Sequence, residues 1–179
     1  MGKILVIGAG GQLGTELTKV LAEKYGNESI IATDFQESAR SKFSYCNFQT
    51  LNVLDKVDLE NIVKKDGVTQ IYHLAAILSA AGEKNPIQAW DLNMGGLLNV
   101  LEIARAYSIE KVFWPSSIAV FGPSSEKERT PQNAFKDPNT IYGISKLSGE
   151  HWCEYYFNKY GVDVRSVRYP GLIGYKSLP

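Results

Sequence analysis

Cysteine and histidine are scarce in this chain, two of each in 179 residues. Cys46 and Cys153 lie far apart, and His151 beside Cys153 has no further His or Cys near it to complete a ligand set. A zinc cluster and a disulfide framework are thereby excluded as organising principles, and reduced thiols in a cytosol-like compartment are expected. Charge of one sign is also missing, since 19 basic residues balance 19 acidic ones and no run of Lys or Arg stands out. No nucleic acid and no anionic membrane surface is therefore expected as a partner, and a small molecule is favoured. No apolar run approaches the ~20 residues of a membrane span. The N-terminus enters a strand-like segment and meets Gly8 before a signal-peptide core could form, so a soluble, cytoplasmic protein is expected. Internal repeats and low-complexity tracts are lacking as well, which favours one domain over residues 1–179.

Glycine is plentiful, and its placement is informative. The run Lys3-Ile4-Leu5-Val6-Ile7 has no polar alternation and reads as a strand buried on both faces of a parallel sheet. Gly8-x-x-Gly11-x-x-Gly14 follows at once, with Gly10 also permitting the shorter Gly-x-Gly spacing. From Leu13, the positions Leu17, Val20 and Leu21 continue at helical spacing, and Gly26 stands where a helix would be capped. Glycines between a strand end and a helix start allow a tight turn, and they let backbone N–H groups approach a pyrophosphate at the positive end of the helix dipole. Gly8, Gly11, Gln12, Leu13 and Gly14 are the candidate pyrophosphate cradle. Asp34 ends the next strand-like run, Ser29 to Thr33, about 20 residues past Gly14, where a carboxylate can accept both ribose hydroxyls of an adenosine. No basic residue directly follows Asp34, although Arg40 and Lys42 stand further on, so NAD is favoured over NADP.

The chain then alternates. Residues 35–44 read as a loop with at most a short helix, Tyr45 to Val53 as a third strand with Asn52 and Val53 bordering an adenine, and Asp58 to Lys65 as a helix. Val68 to Ala76 reads as a fourth strand whose small residues Ala75 and Ala76, after Leu74, would floor a flat ligand. His73, alone inside this apolar run, reads as a packed, hydrogen-bonded core residue rather than a base. Ile87 to Tyr107 is a long helix with more apolar surface than one sheet face needs. Lys111 to Trp114 is a fifth strand, 121–138 a surface loop, and Val162 to Tyr169 a sixth strand ending in Pro170-Gly171. Strand and helix alternating six times give an α/β architecture, an open, doubly wound parallel sheet with ligands at the strands' carboxyl ends.

Tyr142 and Lys146 fall four apart in the helix that begins near Thr140, so both project from one face. Running a phenol of pKa about 10 as a base near pH 7 requires about 4 kcal/mol of preferential stabilisation of its phenolate. A neighbouring ammonium in a dry site can supply part of it. Ser116 or Ser117, at the end of the fifth strand, could hold a substrate hydroxyl on the tyrosine, and the three groups would form an alcohol-oxidising set.

With these motifs in place the chain resembles the extended short-chain dehydrogenases/reductases, the NAD-dependent epimerase/dehydratase group, which implies a Rossmann-type fold. Residues 73–80, 82–86, 114–123, 142–146 and 168–173 are similar to its short-chain type of L-threonine 3-dehydrogenases. That resemblance implies oxidation of L-threonine at C3 by NAD to 2-amino-3-oxobutanoate, which a ligase cleaves to glycine or which decarboxylates to aminoacetone. It implies Tyr142 as base, Lys146 on the nicotinamide ribose, and Ser117 on the reacting hydroxyl. Ser79 and Ser116 become further substrate contacts. Leu74, Ala75, Ala76, Tyr169, Pro170 and Leu172 would run along the ribose and nicotinamide, and Asn93 would support the active-site strand. Asn52 stands where many members have an acidic residue for the adenine amino group, and its carbonyl can accept the same bond. A homodimer through the 87–107 and 140–160 helices is also implied. Members continue past the position of Pro179, so a C-terminal substrate lobe is expected to be absent from this chain. A nucleotide-sugar 4-epimerase or dehydratase would share the turn, Tyr142, Lys146 and NAD, and a dinucleotide-binding fragment without turnover is the alternative from another class.

Overall fold

The computed structural model describes residues 2–173; Met1 and residues 174–179, the ends of the domain expected over 1–179, lie outside them. Six strands form one parallel sheet: β1 (Lys3–Ile7), β2 (Ile30–Asp34), β3 (Asn47–Thr50), β4 (Val68–His73), β5 (Lys111–Phe113) and, after a short extra strand, β7 (Val164–Arg165). Their order is β3-β2-β1-β4-β5-β7, so the chain winds outward from β1 in both directions. The crevice between β1 and β4, where the order reverses, is the ligand position of such sheets.

Residues alternate across the sheet and make two cores. Leu5, Ile7, Ile31 and Ile71 face one side, under α2 (Lys56–Asp66), α5 (Gly96–Ala106) and α6 (Ile141–Tyr160). Ile4, Val6, Ile30 and Ala32 face the other, under α1 (Gln12–Tyr25). Ile4 through Ile7 are each at most 1% exposed, as an uninterrupted apolar strand requires. Each helix end has a local cause. Asp55 caps α2 by accepting from the amides of Val57 and Asp58, Gly67 and Gly161 close α2 and α6 in the left-handed region, and Thr140 caps α6 through the amide of Gly143.

Four elements differ from the sequence expectation, and the plainest is β3, which spans only Asn47–Thr50 of the expected 45–53. β4 stops at His73 instead of running to Ala76: the amide of Leu74 donates to the Ile7 carbonyl, and the chain then leaves the ladder beside the glycine turn. The long helix starts at Pro86 and is not uniform; α4 (Pro86–Trp90) follows the short α3 (Ser79–Gly82), and a π-helical turn at Asp91–Gly95 joins it to α5. The expected sixth strand is split. Pro115 has no N–H for the ladder, so β5 ends before it, and Ser116–Ser117 (β6) pairs instead with Arg168–Tyr169 (β8) in a separate two-stranded sheet. At the break the amide of Ser116, next on the β7 side after that of Trp114, donates to Ser166 Oγ at 3.1 Å rather than to a backbone carbonyl. No helix among the described residues is long and apolar enough to cross a membrane.

Candidate active site

The glycine turn is built for a close approach. Gly8 sits at φ 80°, and a Cβ there would lie 2.6 Å from the amide nitrogen of Ala75. The turn therefore rests on the backbone that leaves β4. Gly14 is closed for another reason: its Cβ would come within 2.4 Å of the Gly8 carbonyl, so α1 packs directly on the turn. Gly11 differs from both, since a Cβ would meet only the Gly8 carbonyl at 3.5 Å, and the position opens toward the cleft. α1 begins there with no side-chain cap and no acidic residue in its first turn, which leaves its terminal N–H groups to an anion.

Asp34 is held by the same turn. Its Oδ2 accepts from the amide of Gly10 at 2.9 Å and its Oδ1 from that of Gln36 at 3.1 Å, leaving further lone pairs for ribose hydroxyls. The cleft above them has a volume of about 1120 Å³, room for a dinucleotide. Its walls include Gly8, Gly11, Asp34, Asn52, Val53, Leu74, Ala75 and Ala76. They also include Phe35, Lys42, Ile87, Gln88, Asp91 and Leu92, which sequence reasoning did not assign to the site. Lys42 reaches back from its loop to donate to the Gly10 carbonyl at 2.7 Å. Asn52 Oδ1 accepts from the amide of Leu54, an Asx turn that fixes the side chain at the cleft.

The polar triad gathers where β5 ends. α6 comes close because a Cβ at Gly143 would lie 2.2 Å from the Ala119 carbonyl, and one at Gly149 2.3 Å from Trp114. Its N-terminus is fixed twice, by Thr140 and by Glu83, whose Oε1 accepts from the amide of Ile141 at 2.8 Å. Lys146, 3% exposed, donates to the Pro115 carbonyl at 2.7 Å and lies 4.4 Å from the Trp114 ring centroid and 5.5 Å from that of Tyr142. Burial pushes its pKa down to about 8. Burial raises the Tyr142 phenol above its ordinary value, and the Ser117 hydroxyl beside it works in the opposite direction. Tyr142 is therefore protonated at neutral pH here.

The remaining candidates fall in several places. Ser116 is buried, and its hydroxyl donates to Glu150 at 2.6 Å, away from Tyr142. Asn93 is buried in the π-helical turn; its amide grips the Ile77 backbone on both sides, accepting from the N–H at 2.8 Å and donating to the carbonyl at 3.1 Å. A third bond runs from it to Ser145 Oγ. Gln12 and Leu13 form the first turn of α1, Ser79 is exposed at the start of α3, Tyr169 is half-buried, and Pro170 and Leu172 are exposed. His73 is 1% exposed as expected, yet neither ring nitrogen has a hydrogen-bond partner, and burial pushes its pKa down to about 3.

Residues 4–178 match the NAD dependent epimerase/dehydratase family. The chain belongs to that family. NAD is the family's cofactor, and a cradle with no room for side chains at Gly8 and Gly14, an uncapped helix end and a bound Asp34 carboxylate fit it. Among its members, a protein of Staphylococcus saprophyticus described as an uncharacterized epimerase/dehydratase is 48% identical over the whole chain, which spans 56% of that protein. The GalE-like L-threonine dehydrogenase from Cupriavidus necator in its holo form is 52% identical with a TM-score of 0.95, over 99% of this chain and 57% of its own. A monomeric L-threonine 3-dehydrogenase from a metagenome, in its apo form, is 52% identical with a TM-score of 0.92, over 97% of this chain and 55% of its own. The chain thus spans little more than half the length of the relatives it matches.

Proposed function

We propose that this chain is the cofactor-binding and catalytic part of an NAD-dependent L-threonine 3-dehydrogenase, which oxidises the C3 hydroxyl to give 2-amino-3-oxobutanoate. The observation that carries the chemistry is the meeting of Ser117, Tyr142 and Lys146 just past the end of β5. The substrate rests on the identity with the two threonine dehydrogenases above.

NAD, when bound, accepts the hydride that leaves C3. Ser117 orients the C3 hydroxyl, and Tyr142 Oη takes its proton as the carbonyl forms. The Lys146 ammonium favours the phenolate and holds the nicotinamide ribose. Asp34 accepts the adenosine ribose hydroxyls, Leu74, Ala75 and Ala76 floor the cofactor, and Pro170 and Leu172 border the nicotinamide, with Ser79 reaching the substrate. The same reading pairs two copies of the chain through the 87–107 and 140–160 helices.

The test is NADH formation from L-threonine by the protein at its relatives' full length. Tyr142→Phe keeps the ring and removes the acceptor, so turnover should fall by roughly 10²–10⁴-fold with NAD affinity nearly unchanged. Substantial turnover in that variant would move the base elsewhere, and a parent inert on L-threonine would refute the substrate.

A further inference from the structure

The helix that carries Tyr142 and Lys146 bears a third polar group one turn further on. Glu150 accepts from Ser116 Oγ at 2.6 Å and from Arg168 Nε at 2.7 Å on Oε1, and from Arg168 Nη2 at 2.8 Å on Oε2. The other branch of the fork, Nη1, donates to the Gln132 carbonyl at 2.7 Å, and the guanidinium lies 5.2 Å from the Phe121 ring centroid. The pair is shielded, with side chains 14% and 19% exposed. One carboxylate thus joins α6, β6 and β8, and through Arg168 the loop at 121–138.

Neither Glu150 nor Arg168 lines the cofactor cleft. Each, however, adjoins a residue that the proposed reading places at the chemistry: Ser116 precedes Ser117, Glu150 follows Lys146 by four, and Arg168 precedes Tyr169 and Pro170 by one and two. The β6–β8 ladder is two residues per strand, Ser116 against Arg168 and Ser117 against Tyr169, too short to fix its own position. Half-buried ion pairs add little net stability over apolar residues of the same shape, but a bidentate Arg–carboxylate pair fixes distance and angle together.

We propose that Glu150, through its bidentate pair with Arg168 and its bond from Ser116, is a positioning residue that locks the β6–β8 pair against α6 and so sets the nicotinamide end of the site without touching NAD. The proposal rests on the cofactor reading given above. It separates two halves of the cleft: the adenosine half is held by β1, β2 and the glycine turn, which Glu150 does not contact, whereas the nicotinamide half depends on segments that meet at its carboxylate.

Calorimetric titration with ADP and with NAD separates them, because ADP reports the adenosine and pyrophosphate half alone. In the 179-residue chain, Glu150→Gln should weaken NAD about tenfold while leaving ADP within about twofold, the cost of displacing groups by a fraction of an ångström. Arg168→Lys, which keeps the charge and loses the fork, should act in the same sense, and Ser116→Ala, which removes one bond and leaves the pair intact, by a smaller factor. If Glu150→Gln does not fold, the milder two variants decide. NAD affinity within twofold of the parent in the folded variants, or an equal loss for both ligands, overturns the proposal. A parent that binds neither ligand refutes the cofactor site itself, and the proposal with it.

Discussion

Lys146 shows how a single buried cation can cost stability. With its pKa about 8 in the fold against an ordinary 10.5, the folded chain holds a buried ammonium below pH 8. Between pH 8 and 10.5 the unfolded chain still binds the proton that the folded chain has released, so stability due to this group rises with pH across that window; above it neither state is charged. Lys146→Met should therefore stabilise the cofactor-free chain most below pH 8, by up to about 3 kcal/mol, set against a pH-independent loss of the bond to Pro115. Urea unfolding of parent and variant across that range measures it, and an advantage that stays flat from pH 7 to 10 would refute the assignment. Gly11 makes the complementary case. Because a Cβ there meets only the Gly8 carbonyl at 3.5 Å, Gly11→Val should fold normally and abolish NAD binding, whereas a side chain at Gly14 would strike backbone at 2.4 Å and should unfold the turn. A folded Gly11→Val chain with parental NAD affinity would place the pyrophosphate elsewhere. At this scale the sequence reveals Tyr142 and Lys146, since four residues is one helical turn. Spacing alone does not separate Ser116 from Ser117, which only the family resemblance ranks; neighbours in a strand face opposite ways, and the fold shows that one turns to Glu150 and the other to Tyr142.

Among the elements, the strand–turn–helix at the N-terminus is legible because strand burial, glycine spacing and helical period agree from Lys3 to Leu21. The π-helical turn at Asp91–Gly95 is not. Its residues keep ordinary helical character, and the wider turn arises from what Asn93 does in three dimensions, bonding both sides of the Ile77 peptide backbone and Ser145 in α6. The split of the last strand was hidden for a similar reason: Val162 to Tyr169 has strand character throughout, and Pro115 on the neighbouring strand decides where the ladder breaks. Asn93→Ala should leave the Ile77 N–H and carbonyl without partners inside the fold, costing about 1–3 kcal/mol for each group left dry. Hydrogen exchange offers the sharper measurement, with the Ile77 amide expected to exchange much faster and the β1 amides unchanged. Unaltered protection at Ile77 would mean that Asn93 does not hold the segment carrying Ala75, Ala76 and Ser79.

For the molecule as a whole, the question is what covers α6. Its inner residues Cys153 and Tyr156 are buried in the core, and α5 spends most of its apolar side there too, with Leu97, Val100, Leu101 and Ile103 each at most 1% exposed. The excess apolar surface expected for both long helices therefore lies mainly on α6. There Ile144, Trp152 and Tyr155 are 40%, 40% and 44% exposed, at positions i, i+8 and i+11 of a single helical stripe, and Trp152 meets Tyr155 edge-on. Trp90 at the end of α4, 37% exposed, adds to the unpartnered aromatic surface. A stripe on one straight helix can match its own copy about a two-fold axis, which is the usual geometry of homodimers. Light scattering at tens of micromolar should then report twice the 19.8 kDa chain mass, and Tyr155→Asp, which sets a charge in the stripe, should return the monomer without loss of helix content. A 52% identical relative is described as monomeric, so the stripe, rather than the fold, has to carry the pairing. A parent that scatters only as a monomer, or a Tyr155→Asp variant that still pairs, would remove α6 as the interface.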